Sequence, residues 1–151
     1  MTSHFNDLLK SFDEQEVKYL VVGGHAVMFY SEPRYTKDLD IWIEASPENA
    51  TRVFRALAHF GAPLTGVSEA DFAAPGSFYQ LGRPPLRVDV LTSIEGLEFD
   101  EAWPNRLIGE FLGRQVPFIG RQDLIRNKRA VGRHIDLHDA DVLELGSEHS
   151  D

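Results

Sequence analysis

The stretch Tyr19-Leu20-Val21-Val22-Gly23-Gly24-His25-Ala26-Val27-Met28-Phe29-Tyr30-Ser31-Glu32-Pro33-Arg34-Tyr35-Thr36-Lys37-Asp38-Leu39-Asp40-Ile41-Trp42-Ile43-Glu44 decides how this chain folds. A short apolar run, Tyr19 to Val22, stops at Gly23-Gly24. A helix-length apolar segment follows from His25 to about Ser31, and Pro33 ends it. A second strand then carries Asp38 and Asp40. Side chains alternate along a strand, so Asp38, Asp40, Trp42 and Glu44 share one face, while Leu39, Ile41 and Ile43 share the other, which reads as core. Adjacent carboxylates repel, and one pKa rises unless a cation compensates. Asp also suits strands poorly. A strand that keeps two of them is either an exposed edge or a cation holder, and Mg²⁺ is typically held by one or two carboxylates plus substrate phosphates. The glycine pair has a matching logic. Glycine lets backbone approach a ligand closely, and helix N-termini favour anions, so a strand, Gly-Gly and a helix start together make a place for a triphosphate.

This combination resembles the nucleotidyltransferases of the DNA polymerase beta superfamily. Their motif is Gly-Gly or Gly-Ser opening a helix, then an apolar-flanked Asp-x-Asp strand, with a third carboxylate on a neighbouring strand. Arg34-x-Thr36-x-Asp38-Leu39-Asp40-Ile41 most resembles the small bacterial branch that includes AbiEii-type toxins. The resemblance runs from about Val17 to Leu145. It implies an α/β (α+β) fold, with a mixed twisted sheet and helices packed mainly on one face.

With 151 residues, the simplest organisation is one nucleotidyltransferase domain over 1–151, with 146–151 as a frayed tail. A net charge of −9 argues against a general nucleic-acid coat protein, and the absence of cysteine excludes disulfides and thiolate metal sites. No basic, then apolar, leader is present and no apolar run approaches the ~20 residues that span a bilayer, so no membrane role and a cytoplasmic location are expected.

The remaining elements follow from periodicity and punctuation. Phe5, Leu8, Leu9 and Phe12 mark an amphipathic helix from His4 to about Gln15, and Val17 to Val22 reads as the first strand. Ser46-Pro47-Glu48 starts a helix that Gly61 ends. A short helix is expected from Ser68 to Ala73, strands over Ser77 to Leu81 and Leu86 to Leu91 around a Gly82-Arg-Pro-Pro turn, and a short helix from Glu98 to Trp103. Glu110-Phe-Leu and Gln115 to Ile119 read as a second hairpin around Gly113-Arg114, Arg121 to Val131 as a helix, and Asp136 as the cap of a last helix to about Leu145. In the strand Leu86 to Leu91, Arg87, Asp89 and Leu91 share one face. Asp89 is a lone acid in an apolar strand, costly unless it is paired with a nearby Arg or ligates a metal. Beside Gly23-Gly24 and Asp38/Asp40, the second role is adopted: Asp89 is the third carboxylate that the resemblance implies.

From Arg106 to His134 there are seven Arg or Lys residues and two acids; from Ile135 onward there are six acids and no Arg or Lys. On charge alone, a basic helix face paired with the acidic tail is the simpler explanation. The resemblance adds a motif near Leu-Ile-x-x-Lys-x-x-Ala-x-Arg-x-x-Asp, matched by Leu124 to Asp136 with Val131 inserted between Ala130 and Gly132. This favours Lys128 over Arg133 as the phosphate contact. His134 and His138 stand four apart on what reads as a solvated polar helix. A histidine–aspartate phosphohydrolase would need further spaced histidines, and His4, His25 and His59 do not supply them.

The resemblance therefore implies a Mg²⁺-dependent enzyme that moves a nucleoside monophosphate from an NTP, with ATP among the candidates, to an acceptor hydroxyl on an RNA 3′ end, a protein or a small molecule. Asp38, Asp40 and Asp89 hold two Mg²⁺ ions. Gly23, Gly24 and His25 cradle phosphates, with Arg34, Thr36 and Lys128 as further nucleotide contacts. A toxin–antitoxin setting, a partner chain or a homodimer goes with the branch. The alternative is a catalytically silent nucleotide- or partner-binding module of the same fold.

Overall fold

A computed structural model describes residues 2–33, 36, 38–83 and 86–149 of the chain. The first helix, α1 (Thr2–Glu14), exists because Phe5, Leu8, Leu9 and Phe12 form one buried stripe. A residue with positive φ, Glu16, turns the chain into β1 (Tyr19–Val22), four residues that are all buried. No loop separates β1 from α2 (Gly23–Tyr30): the helix starts at Gly23 with φ 67°, two residues earlier than its apolar stretch suggests. β2 (Asp38–Ile43) follows. α3 (Pro47–Phe60) has the expected punctuation, with Ser46 Oγ accepting from the Asn49 amide at 3.2 Å and Gly61 closing it at φ 94°.

A 3-10 turn (Glu69–Phe72) leads to β3 (Phe78–Arg83) and β4 (Leu86–Leu91). β3 continues through Gly82-Arg83, expected to be turn, because these residues pair with Arg87 and Leu86 in the antiparallel ladder. The short α4 (Phe99–Ala102) precedes β5 (Leu107–Phe111) and β6 (Arg114–Phe118). Leu112 and Gly113 join these two strands, both at positive φ, as a two-residue hairpin turn of the primed type requires. β5 begins earlier than the sequence suggests; Leu107 and Ile108 are both exposed, so no in/out alternation announces it. α5 (Arg121–Val131) ends at Gly132, φ 77°, and α6 (His134–His149) completes the chain.

The six strands form one mixed sheet in the order β3-β4-β2-β1-β6-β5, with β4/β2 and β1/β6 parallel and the other pairs antiparallel. Register partners share a face, so Tyr19 and Val21 lie beside Ile43 and Ile41, and Leu39 and Ile41 beside Val88 and Val90. This apolar face meets α1, where Phe12 packs edge-on to Tyr19 with ring centroids 5.6 Å apart; Ser11 Oγ then ties α1 to the Ala56 carbonyl of α3 at 2.8 Å. Leu→Ala changes at such fully buried positions typically cost about 2–5 kcal/mol. Buried Asn49 clamps the far end of the central pair. Its amide donates to the carbonyls of Lys18 (3.0 Å) and Glu44 (2.9 Å), and its oxygen accepts from the Lys18 amide (2.8 Å). The opposite face of β2 and β4 carries Asp38, Asp40, Trp42, Arg87, Asp89 and Leu91. Among the described residues no helix is long and apolar enough to cross a membrane.

Candidate active site

The central strands bring together acids that are about fifty residues apart in sequence. In the parallel β2/β4 ladder Asp38 is opposite Arg87 and Asp40 opposite Asp89. In the antiparallel β1/β2 ladder Val22 is opposite Asp40, which brings Gly23 over the Asp40 carboxylate. A Cβ on Gly23 would collide with Asp40 Oδ2, and its φ of 67° also disfavours a side chain, so the position needs glycine on both grounds.

The electrostatics are those of a cluster short of positive charge. The Asp40 carboxyl is pushed up to about 7, first by burial, then by the charges of Asp89 and Asp38; Lys128 opposes this, and a hydrogen bond with Asp89 adds to it. Asp89 Oδ1 accepts from Gln80 Nε2 at 2.9 Å. Asp38 Oδ2 accepts from Arg87 Nη2 at 3.0 Å, and Arg87 Nε lies 3.8 Å from Asp89 Oδ1. Among the described residues no three acidic or histidine side chains converge as a ready-made metal cage. The donor set nonetheless fits Mg²⁺. All three candidates are hard carboxylate oxygens, and the raised Asp40 carboxyl marks a spot where a cation relieves both repulsion and burial.

A cavity of about 310 Å³ opens beside Asp40, lined among others by Gly23, Ser93, Asn127, Lys128 and Arg133. Lys128 is buried, and its Nζ meets Asp136 Oδ1 at 3.3 Å and Asp139 Oδ2 at 3.4 Å. A larger cavity of about 390 Å³ holds Trp42, Glu44, Glu48, Glu98 and Asp100, with Ser93 common to both. Size does not decide between them; the smaller one contains the perturbed carboxyl, the glycine and the lysine, and is the candidate centre.

Not every expected residue meets there. Of the three expected carboxylates only Asp40 lines the cavity; Asp38, Asp89, Gly24 and Thr36 do not. His25 packs between Phe5 and Phe111, with ring centroids 6.2 and 5.1 Å away, and burial pushes its pKa down. Its two ring nitrogens are buried without a hydrogen-bond partner among the described residues. Arg34 lies outside the described residues. The polar helix expected to be solvated is not so throughout. α6 starts at His134, ahead of the expected cap at Asp136, and Asp136 and Asp139 are buried while His134 and His138 are exposed. The signal was present: Asp136, Asp139, Ala140 and Leu143 follow i, i+3, i+4, i+7 and form the buried stripe. Gln80, Ser93 and Asn127 were not anticipated. Gln80 becomes visible only once its register with Asp89 is known.

No protein-family model and no curated protein sequence matches the chain. Solved structures do. ANT(2″)-Ia, an antibiotic-resistance factor, superimposes with a TM-score of 0.62 at 15% identity, over 97% of this chain and 85% of that one. The lincosamide adenylyltransferase LnuA, in its lincomycin-bound form, gives 0.61 at 16% identity, over 95% and 96%. The chain has the nucleotidyltransferase fold. TM1012 from Thermotoga maritima, assigned as a nucleotidyltransferase, adds a TM-score of 0.55 at 16% identity, over 97% and 93%. Within the nucleotidyltransferase fold, the AbiEii-like branch rests on sequence motifs alone.

Proposed function

We propose that this protein is a nucleotidyltransferase that moves a nucleoside monophosphate from an NTP to an acceptor hydroxyl, releasing pyrophosphate. The observation that carries this is the pairing of Asp89 with Asp40, which itself lies under Gly23, in a nucleotidyltransferase fold. Asp38, Asp40 and Asp89 would hold Mg²⁺. When bound, the metal would lower the pKa of the acceptor hydroxyl and offset the charge on the leaving oxygens. The chain's own part follows from its geometry. Gly23 and Gly24 open α2, whose first amides face anions favourably. Lys128 lines the cavity, held in place by Asp136 and Asp139, and is the proposed hydrogen-bond donor to a phosphate oxygen there. The acceptor oxygen attacks the α-phosphorus, the bond to the β-phosphate oxygen breaks, and Asp89 takes the acceptor proton.

ATP is the proposed donor, since LnuA is an adenylyltransferase and ANT(2″)-Ia is seen in complex with adenylyl-2″-tobramycin. For the acceptor, Trp42 on β2 and Glu44 just past its end line the second cavity, where Glu48, Glu98 and Asp100 add carboxylates. With a net charge of −9, this lining suits a small amine-bearing alcohol better than an RNA end. The RNA or protein acceptor of a toxin–antitoxin pair is the competing class. One observation favours a silent binding module: Asp38 is already paired with Arg87. The deciding experiment is pyrophosphate release from each NTP with Mg²⁺, with labelled NTP and cell extract to show whether label enters small molecules, RNA or protein. Nucleotide binding by calorimetry with no pyrophosphate under any condition would favour the module.

A further inference from the structure

We propose that Arg87 is the resident counter-ion of the carboxylate cluster, and that a divalent cation enters by displacing its guanidinium from Asp38. This rests on the metal-dependent reading above. Arg87 stands on β4 directly opposite Asp38 and two residues before Asp89, so its side chain emerges on the acidic face between them. The guanidinium spans both acids but satisfies one. Nη2 donates to Asp38 at 3.0 Å, while Nε, 3.8 Å from Asp89, is too far for a hydrogen bond and is a buried donor without a partner among the described residues. Asp89 Oδ1 is meanwhile taken by Gln80. Asp38 is thus engaged in an ion pair, Asp40 and Asp89 stand side by side across the ladder, and among the described residues the acids do not converge as a three-acid cage.

The contact is built to exchange. About a third of the Arg87 and Asp38 side chains is exposed (32% and 28%), so water can receive the released guanidinium. A guanidinium is weakly hydrated, and one that already lacks a partner at Nε loses little by leaving. A purely structural ion pair would be expected to satisfy its buried donor; this one does not.

The test is calorimetric titration of Mn²⁺ or Mg²⁺ alone, without nucleotide, into the full chain and its Arg87→Met, Arg87→Lys and Asp89→Asn variants. Melting temperature is followed with and without metal, and pyrophosphate release is measured in parallel. Arg87→Met is expected to bind metal about tenfold tighter, to melt lower without metal, and to gain more from metal than the natural chain. Arg87→Lys keeps a charge but not the fork, and is expected to fall between the two; it decides the matter if Arg87→Met does not fold. Asp89→Asn should lose binding. In the natural chain the Arg87 Nε–H resonance should move with Mg²⁺ and saturate at the calorimetric Kd. Unchanged or weaker metal affinity in the Arg87 variants, with the natural chain still binding metal and releasing pyrophosphate, overturns the counter-ion role and leaves the proposed function standing. No metal binding and no pyrophosphate from any variant overturns both.

Discussion

Two regions of the molecule enclose carboxylates, one fully and one by half, and they do so in opposite ways. Between α5 and α6, Asp136 and Asp139 are almost fully enclosed, yet positive charge is at hand: Lys128 Nζ serves both, and Arg133 adds bonds of 2.6 and 3.2 Å to Asp136. Hydrogen bonding from Arg133, helped by Lys128, holds the Asp136 carboxyl below its ordinary value despite its burial. On β2 and β4, Asp38 and Asp89 share one arginine, and Asp40, with only the field of Lys128 to oppose it, is pushed up to about 7. The first cluster is neutral in itself and cements two helices. The second lacks cations, and its energy falls when one arrives. Matched buried acids make structure; unmatched ones make a binding site.

The strongest way to break this comparison is to neutralise the unmatched acids. Asp40→Asn or Asp89→Asn should lower pyrophosphate release by about a thousandfold or more, on the scale set by removing one transition-state stabiliser. The metal-free Asp40→Asn chain should melt no lower than the natural one at pH 8, because a costly buried charge has gone. Equal turnover in both variants would remove the cluster from the chemistry. Lys128→Met does the reverse to the matched cluster. Two buried acids lose their shared cation, and stability should fall by about 3–5 kcal/mol in urea denaturation. A loss under about 1 kcal/mol would show that Lys128 serves the cavity and not the α5–α6 seam. Gly23→Ala should cost about 1–3 kcal/mol through strain at positive φ and pressure on Asp40.

The pH dependence sharpens the contrast further. The folded carboxyl of Asp40 holds its proton more tightly than the unfolded one, so its stabilising contribution is present below about pH 4 and is lost as pH rises through about 7. Asp136 has the opposite sign: its contribution is present above the ordinary carboxylate range and is lost as pH falls through its lowered value. Metal-free unfolding experiments should therefore show stability declining between about pH 4 and 7, a decline that Asp40→Asn abolishes and millimolar Mg²⁺ reduces. The smallest effect belongs to the outer pairs. Arg129 bonds Glu144 at 2.9 Å and approaches Asp141 at 3.7 Å in largely exposed surroundings, so Arg129→Ala should change stability by under about 1 kcal/mol and less in high salt.

Much of this was legible in the sequence, where local rules suffice. Alternation put Asp38 and Asp40 on one face and Leu39, Ile41 and Ile43 in the core, and Ser46 and Gly61 bounded α3. Asp89 carried two readings, metal ligand or arginine partner. The fold places it beside Asp40 and within 3.8 Å of Arg87, so the arginine contact is present and the metal role belongs to the proposal. What local rules miss is what other elements supply. The extension of β3 depends on its ladder with β4, and the identity of Gln80 as an Asp89 partner depends on that same register. The burial of Asp136 and Asp139 depends on a lysine eight and eleven residues earlier, presented by a different helix. Charge segregation between 106–134 and the acidic end hinted at that seam but could not say which acids would go inside.

The Asn49 clamp has a consequence for the chemistry, though it stands at the opposite end of the strands. By gripping the Lys18 and Glu44 backbones together it fixes the phase of β2 against β1. A slip of one position would exchange the two sides of β2, turning Asp38 and Asp40 into the oily interior and Leu39 and Ile41 out to the side that now carries the acids. An uncharged amide that never meets a substrate thus guards which way the acids point.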